Sequence, residues 1–204
     1  MKVLLLYAHP SHQHSRTNRT MFEKATAIEG ITAIDLYAAY PRHDIDIDRE
    51  QQQLVDHDVI VFQFPLFWYS TPSIIKEWQD LVLEHGFAYG EHGHSLDGKH
   101  LLCAISAGGP EQAYTATGRN RFTLRQLLSP MEATANLCRM HFLAPYVLYG
   151  TLETHDEART AHMTGYVSLL EALRDDRLDC KALQGADILS ATCLSDFMKE
   201  RNNG

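Results

Sequence analysis

Three features that would assign this chain to other protein classes are absent from its 204 residues. Its four cysteines are far apart and form no C-x-x-C pair, which argues against both a disulfide framework and a zinc knuckle. No apolar run approaches the roughly 20 residues that a membrane-spanning helix requires. The formal net charge of −8 lacks the basic excess of nucleic-acid-binding proteins, and it disfavours attraction to anionic lipid.

The composition that remains is typical of one globular domain. Hydrophobic residues make up 45% of the chain and charged residues 22%, and the length suits a single core. The amino-terminal stretch MKVLLLYAHP is too short for a signal peptide and predicts a buried strand, so we expect a cytoplasmic protein. Because the periodic pattern degrades after about residue 175, we predict one domain over 1–178 and a carboxyl-terminal extension over 179–204, with a short helix at 187–200.

Apolar runs of strand length alternate with stretches of helical periodicity. Uninterrupted apolar strands indicate burial on both faces, and right-handed crossovers through helices then predict a doubly wound α/β fold with a parallel sheet. Ser70 or Thr71 is the expected cap of the third helix, and Pro130 is expected to bend or restart the fourth. The predicted strands cover 3–8, 33–40, 58–64, 100–106 and 146–151, and the helical faces cover 21–28, 48–55, 74–82, 124–131 and 166–173.

The loop after the first strand, HPSHQHSRTN, is the first candidate binding segment. Open α/β sheets bind ligands beyond the carboxyl ends of their strands. Neither the G-x-G-x-x-G dinucleotide fingerprint nor a P-loop is present here. Instead the loop ends in polar residues directly before a helix, where hydroxyl groups, an arginine and backbone N–H groups form an anion site. The predicted phosphate ligands are Ser15, Arg16, Thr17 and Asn18.

The same loop contains three histidines, which raises the alternative of a metal site. His9, His12 and His14 are not spaced like ligands on one helix, and no nearby Asp, Glu or Cys completes a set. We therefore predict no metal and regard His12 and His14 as surface residues. His9 differs because it follows the first strand directly, so we expect it to point into the binding crevice.

The loop after the third strand, PLFWYSTPS, supplies aromatic side chains at the same edge of the sheet. Trp68 and Tyr69 can stack on a flat ligand. Packing in the core is the alternative role for aromatics in this segment. We favour ligand contact for both residues.

The loop after the fourth strand, SAGGPEQAYTATGRN, is long and contains two adjacent glycines. Gly108 and Gly109 allow the backbone to approach a ligand closely, although a plain turn also explains them. Long loops at this edge are more often functional. A phosphate end, an aromatic wall and a glycine-backed edge together describe a flavin mononucleotide (FMN) pocket, as in folds with the strand order 2-1-3-4-5.

The chain resembles the flavodoxin-like NAD(P)H:quinone oxidoreductases, and among them the ancillary proteins of glutathione-regulated, Kef-type potassium-efflux systems. The resemblance covers about residues 1–175 and implies a flavodoxin-like three-layer α/β/α fold with a five-stranded parallel sheet in the order 2-1-3-4-5. The segments that carry it are KVLLLYAHPSHQHSRTNR, IDLYAAYPRHDIDIDREQ, DVIVFQFPLFWYSTPSIIKEWQDLVLEHGFAYG, LDGKHLL, SAGGPEQAYTATGRN and LCRMHFLAPYVLYG.

The resemblance implies FMN rather than FAD as cofactor, NAD(P)H as electron donor, and a homodimer with each flavin near the subunit boundary. The broader quinone reductases have a histidine where this chain has Asn120, and because asparagine cannot carry the charge, half of their proton relay is missing. The implied catalytic residues are Gly109, Tyr114 and Asn120. The implied cofactor-binding residues are His9, Ser15, Arg16, Thr17, Asn18, Pro65, Leu66, Phe67, Trp68, Tyr69, Ser106, Ala107, Gly108, Gly109 and Tyr114.

The resulting hypothesis is a two-electron reduction of quinones by NAD(P)H, in which Tyr114 donates a proton and N–H groups near Gly109 stabilise negative charge on the flavin. The resemblance couples this activity to a role as ancillary regulatory subunit of a potassium-efflux antiporter at the inner membrane. The alternative is a non-catalytic or weakly catalytic, flavin-bound regulatory subunit that docks on the cytoplasmic domain of the antiporter. A third reading, a hydrolase, rests on GHSLDG, which matches a nucleophile elbow only loosely. The sequence does not distinguish NADH from NADPH as the donor.

Overall fold

The computed structural model describes residues 1–151 and 156–199, and its centre is a parallel sheet in the order β2-β1-β3-β4-β5. The flavodoxin-like strand order predicted from the sequence is therefore confirmed. Two short strands, β5 and β6, both pair in parallel with β4 and together fill the fifth position. The strands are β1 (Val3–Tyr7), β2 (Ile31–Asp35), β3 (Val59–Pro65), β4 (His100–Ser106), β5 (His141–Phe142) and β6 (Tyr146–Leu148).

Helices cover both faces of the sheet, which gives the three layers. Pro130 stands in the first turn of the second of two consecutive short helices, α5 and α6, so the predicted restart is confirmed. The helices are α1 (Thr17–Thr26), α2 (Leu36–Ala39), α3 (Ile47–Asp56), α4 (Ser73–Val82), α5 (Leu124–Leu127), α6 (Ser129–Leu137), α7 (Asp156–Arg174) and α8 (Cys180–Gly185). None of these helices is long and apolar enough to cross a membrane.

Alternate residues of each strand point to opposite faces, and this alternation builds two cores. On one face, here called the α4 face, Ile60 and Phe62 of β3 pack with residues of helices α3 to α6. On the other, the α7 face, Val59 and Val61 pack with residues of α1, α7 and the carboxyl-terminal extension. Gln63 has the same alternation as Val61, so its amide belongs to the α7 face.

The strand register brings the carboxyl ends of the central strands to one edge. Tyr7 at the end of β1 lies beside Gln63 of β3, and Pro65 at the end of β3 lies beside Ser106 at the end of β4. The loops that follow β1, β3 and β4 therefore emerge next to one another. This is the arrangement that the sequence-based site requires.

Two local predictions are wrong. The second strand ends at Asp35 rather than continuing to residue 40, because the Asp35 carboxylate accepts the backbone N–H groups of Tyr37 and Ala38 at 3.1 and 3.2 Å and starts α2 there. Neither Ser70 nor Thr71 caps α4. Pro72 precedes that helix, and no side chain provides a capping hydrogen bond.

The extension is not the single helix predicted over 187–200. Its helical residues are those of α8 and a 3₁₀ turn at Leu194–Phe197, and residues 200–204 lie outside the described part of the chain. Leu178, Leu183 and Leu189 are fully buried on the α7 face. Their spacing of five or six residues does not fit one helical face, which is why the segment folds in pieces. The division of the chain at residue 178 stays a prediction.

The extension also covers an edge of the sheet. The N–H of Leu189 donates to the carbonyl of Pro145 at 2.9 Å, and the N–H of Val147 donates to the carbonyl of Leu189 at 3.0 Å. Between β5 and β6, the N–H of Ala144 donates to the carbonyl of Leu183, and Pro145 has no N–H to donate. The fifth strand is therefore interrupted where its backbone bonds to the extension.

Candidate functional site

The loop between β1 and α1 places buried polar side chains at the amino terminus of α1. Ser15, Thr17 and Asn18 are 7%, 7% and 2% exposed, although all three are polar. The Ser15 hydroxyl oxygen accepts the backbone N–H of Arg19 at 3.3 Å, and this bond satisfies one donor of the first helical turn. With the positive end of the helix dipole, these groups form a cradle that favours an anion.

His9 lines the same cradle. It is 8% exposed, and its Nδ1 accepts the N–H of Ser11 at 3.1 Å, so the proton of the neutral ring is on Nε2. Burial, and next the neighbouring His12, lower the pKa of His9. At neutral pH the residue is therefore an uncharged imidazole whose Nε2–H is available as a donor. Its ring also meets Phe67 edge to face, with centroids 5.6 Å apart.

The loop after β3 presents three aromatic side chains to solvent. Phe67 is 47% exposed, Trp68 93% and Tyr69 49%. Trp68 and Tyr69 have left-handed backbone angles, with φ of 49° and 64°, a conformation that costs about 1 kcal/mol or more per non-glycine residue. Exposed aromatics held in a strained backbone indicate a binding surface rather than a packing role.

The loop after β4 faces these aromatics. Tyr114 is 8% exposed and lies against Gly109, where an added Cβ would be 3.4 Å from its ring. Burial raises the pKa of Tyr114, although a backbone hydrogen bond at Gly109 acts in the opposite direction, so the hydroxyl keeps its proton at neutral pH. Asn120 joins the two loops, because its Oδ1 accepts the Tyr69 hydroxyl at 3.3 Å.

The two ends of the site adjoin each other, and together they are called the slot. A cavity of about 470 Å³ at the α1 cradle and one of about 690 Å³ at the aromatic loop share four lining residues: Pro65, Phe67, Ser106 and Thr151. The predicted residues that line the cradle are His9, Ser15, Arg16, Thr17, Asn18, Pro65, Phe67 and Ser106. Those that line the aromatic end are Pro65, Leu66, Phe67, Trp68, Tyr69, Ser106, Gly108, Gly109 and Tyr114.

Two predicted site residues line neither cavity. Ala107 is fully buried, and its backbone N–H donates to the carbonyl of Leu148 in the fifth strand. Asn120 does not line the slot itself and contacts it through Tyr69. Both residues lie beside the slot and support the loops that form it.

The structure adds residues that the sequence did not single out. Thr151 lines both cavities, and because it follows the fifth strand, the strand-end rule that found the other loops would also have found it. Arg159 of α7 adds a guanidinium to the cradle, a contact across the fold for which the sequence holds no local signal. Gln63 is a third such residue, and the sequence signal that could have identified it is a polar amide within an otherwise apolar strand.

The metal and hydrolase alternatives were based on the three histidines of the first loop and on the GHSLDG segment. Within the described ranges, no group of three or more His, Cys, Asp or Glu is placed to hold a metal ion. The GHSLDG segment precedes the amino end of β4, at the opposite edge of the sheet from the slot. There, Asp97 accepts from His94 at 2.9 Å and from Arg139 at 2.6 Å, so these side chains pair with one another.

A doubly wound parallel sheet with cavities beyond the carboxyl ends of its strands is the architecture of a flavodoxin-like α/β protein. The chain belongs to the family described as having a flavodoxin-like fold, which matches residues 1–170. Two curated relatives are glutathione-regulated potassium-efflux system ancillary proteins KefG. The one from Cronobacter sakazakii is 52% identical over 72% of this chain and 80% of its own, and the one from Yersinia pestis is 46% identical over 84% and 94%.

Solved structures share the fold and differ in their described activities. A general stress protein 14 from Treponema denticola, in complex with FMN, has a TM-score of 0.77 and 31% identity over 86% of this chain and 99% of its own. An NADPH-quinone reductase from P. pentosaceus has a TM-score of 0.74 and 28% identity over 83% and 98%. A protein described as a thermophilic tryptophan halogenase from Streptomycin violaceusniger has a TM-score of 0.76 and 40% identity over 83% and 96%.

Proposed function

We propose that the chain binds FMN in the slot and uses it to reduce quinones, or similar electrophiles, with NAD(P)H. The observation that carries this proposal is the adjacency of the two cavities: a buried anion cradle at the amino terminus of α1 shares four lining residues with the cavity at the aromatic wall. A flavin mononucleotide has the matching shape, since it joins a phosphate to a flat ring system through a polar chain.

The residues present fit that cofactor chemically. At the phosphate end, the Nε2–H of His9 and the hydroxyl groups of Ser15 and Thr17 offer donors beside a helix amino terminus. Asn18 holds a buried Oδ1 atom with no hydrogen-bond partner among the described residues, which leaves capacity for a polar ligand group. At the ring end, Gly108 and Gly109 leave room for a flat molecule near the backbone.

A bound flavin would supply the redox chemistry, accepting a hydride from NAD(P)H and passing two electrons to a quinone. The chain's own contribution is to hold the ring and to manage protons. Tyr114, kept protonated by burial, donates a hydrogen bond or proton to the quinone oxygen. Asn120 steadies Tyr69 and transfers no proton, since an amide does not titrate in this range.

The comparisons support the cofactor more directly than the substrate. The Treponema denticola neighbour is in complex with FMN, and the P. pentosaceus neighbour is a quinone reductase. The halogenase description of a third neighbour illustrates that one fold hosts several chemistries. The proposal for quinones therefore rests on that neighbour's description together with the slot and Tyr114.

The direct test is rapid mixing of the FMN-loaded protein with NADH or NADPH, and then with a benzoquinone, under anaerobic conditions. We expect loss of the oxidised flavin absorbance on addition of the donor and its return on addition of the quinone. The faster of the two donors identifies the preferred nicotinamide. A flavin that neither donor bleaches would exclude the reductase function.

A second function, as an ancillary subunit of a potassium-efflux system, is favoured by the names of the two KefG relatives. The partner would be the cytoplasmic domain of an antiporter, which would hold the protein at the cytoplasmic face of the inner membrane. Potassium efflux from vesicles that contain the antiporter should then change when this protein is added. Identical efflux with and without it contradicts the ancillary role.

A homodimer would complete the aromatic end of the slot. Trp68 is almost fully exposed at the mouth, and a second copy of the chain can bury it. We expect Trp68→Ala to weaken self-association about tenfold or more in sedimentation experiments. Leu137→Ala, which removes another exposed apolar side chain from α6, should leave it unchanged. A wild-type chain that stays monomeric at high micromolar concentration excludes the homodimer.

A further inference from the structure

A chain of buried polar groups runs along the α7 face of the sheet, from α7 to the floor of the slot. The Tyr166 hydroxyl donates to Oε1 of Gln63 at 3.0 Å, and Nε2 of Gln63 donates to the backbone carbonyl of Asn18 at 2.7 Å. Nδ2 of Asn18 then donates to the hydroxyl oxygen of Ser106 at 2.6 Å. Tyr166 and Gln63 are fully buried, and the other two residues are at most 7% exposed. These four residues are called the polar chain below.

The inner half of the polar chain has one possible orientation. The carbonyl of Asn18 only accepts, so the Gln63 amide must turn its NH₂ group toward it and its oxygen toward Tyr166. Burial raises the pKa of Tyr166 well above its usual value, so its hydroxyl remains a donor at every physiological pH. Gln63 thereby holds the first turn of α1, and the Tyr166 hydroxyl fixes Gln63.

The outer half of the polar chain is adaptable. The Ser106 hydroxyl both donates and accepts, so either the oxygen or the NH₂ group of the Asn18 amide satisfies it. The amide group that does not contact Ser106 remains for a ligand, and in the present orientation it is the Oδ1 atom, which has no partner among the described residues. A phosphate oxygen selects the NH₂ group, whereas a ligand hydroxyl is compatible with the oxygen.

We infer that Tyr166 and Gln63 are positioning residues for the cofactor: they touch no ligand, and they set the first turn of α1 that presents Ser15, Thr17 and Asn18 to it. This inference rests on the proposed FMN site. An apolar pair would fill the same space at lower desolvation cost, since the neighbours on the α7 face are apolar. The polar pair is explained by the Asn18 carbonyl, which the Gln63 amide binds while the Tyr166 hydroxyl orients that amide.

The α7 face also supplies a matched control. Tyr146 is fully buried like Tyr166, its ring lies 5.9 Å away, and its hydroxyl donates to a backbone carbonyl, that of His162, at 2.7 Å. Tyr166→Phe and Tyr146→Phe therefore each remove one buried hydroxyl and one hydrogen bond. Only Tyr166→Phe interrupts the polar chain.

Two measurements test the inference. In flavin titrations followed by fluorescence quenching, Tyr166→Phe should raise the dissociation constant for FMN about three- to tenfold, and Tyr146→Phe should leave it unchanged within about a factor of two. In the ligand-free protein, amide hydrogen exchange over residues 15–20 should accelerate in Tyr166→Phe and not in Tyr146→Phe. Gln63→Leu, a second interruption of the polar chain, should reproduce both effects.

The outcomes separate this inference from the proposed function. A wild-type protein that fails to quench FMN fluorescence contradicts the proposed cofactor, and the exchange measurement still decides whether the polar chain holds α1. If Tyr166→Phe and Tyr146→Phe change the exchange of residues 15–20 to the same extent, the positioning role is wrong. It is also wrong if wild type and Tyr166→Phe bind FMN equally tightly.

Discussion

Each face of the sheet contains a buried polar cluster, and the two clusters end differently. On the α4 face, the fully buried Glu50 carboxylate accepts the Tyr40 hydroxyl at 2.6 Å and the Trp78 indole N–H at 2.9 Å, one on each oxygen. On the α7 face, the polar chain ends at the slot with Asn18 Oδ1, which has no partner among the described residues. One cluster is complete within the core, and the other is open toward a cavity.

The difference distinguishes buried polar groups that stabilise the fold from buried polar groups that are available to a ligand. A buried polar group that finds all its partners inside the protein contributes to stability, whereas one that lacks a partner costs stability unless a ligand or water supplies it. The Glu50 cluster ties α3 to α4 and to the end of α2, and the described lining of the slot includes none of its three residues. Substitutions on the α4 face should therefore change folding, and those at the polar chain should change binding.

The largest effect is expected for Glu50→Ala. It leaves the Tyr40 hydroxyl and the Trp78 indole without their acceptor in the core, so the free energy of unfolding should fall by about 2–6 kcal/mol in urea titrations, at about 1–3 kcal/mol for each donor. Glu50→Gln keeps one acceptor oxygen and should lose less. The dissociation constant for FMN should not change in either variant, and a parallel loss of FMN affinity would contradict the separation of the two faces.

The layers of the fold and most of the slot follow from rules that act over short stretches of sequence. Apolar runs of strand length predicted the parallel sheet. The rule that ligands bind beyond strand ends predicted the binding loops after β1, β3 and β4. The register of Pro65 beside Ser106 then brings those loops together. These predictions depend on period and position, which a single sequence displays.

The remaining features depend on packing that no local pattern encodes. The Tyr166–Gln63 hydrogen bond joins residues 103 positions apart in the sequence. Arg159 lines the cradle from α7, which is distant in sequence from the first loop. The end of β2 was misplaced because the capping carboxylate of Asp35 overrode an apolar run that continued beyond it. The leucines of the extension show no helical period, so only the folded structure reveals the surface that buries them.

A smaller effect on the free energy of unfolding should appear when the pH is lowered, and it arises on the α7 face. His162 is 3% exposed, and its Nε2 has no partner among the described residues. Burial lowers the pKa of His162 from 6.5 to about 4, so the folded protein resists a proton that the unfolded chain accepts. The free energy of unfolding is therefore unaffected by His162 above pH 6.5. It falls by about 3 kcal/mol as the pH is lowered from 6.5 toward 4.

The measurement is a set of urea titrations between about pH 7 and pH 4.5, where about 2–3 kcal/mol of this loss should be seen. His162→Leu should flatten the pH dependence by that amount, because the leucine cannot take up a proton. His92→Leu, which replaces an exposed histidine, should follow the wild-type curve. Parallel curves for wild type and His162→Leu would show that His162 does not make the α7 face acid-sensitive.

The smallest effect concerns the cradle alone and should be confined to binding. Ser15→Asp keeps an oxygen that accepts the N–H of Arg19 and adds a negative charge beside the positive end of α1, so the ligand-free protein should be at least as stable as wild type. The same charge repels a phosphate in the cradle. At an effective dielectric constant of about 20 the repulsion should weaken FMN binding about 30- to 100-fold, or roughly 2–2.7 kcal/mol.

Riboflavin, which carries the same ring system without the phosphate, locates the effect of Ser15→Asp within the slot. Its dissociation constant should change little, because the added carboxylate has no anion to repel. Thr20→Asp places the same charge one turn further along α1, outside the cradle, and should leave FMN binding close to wild type. If Ser15→Asp weakens both ligands equally in fluorescence titrations, the amino terminus of α1 is not the phosphate end of the slot.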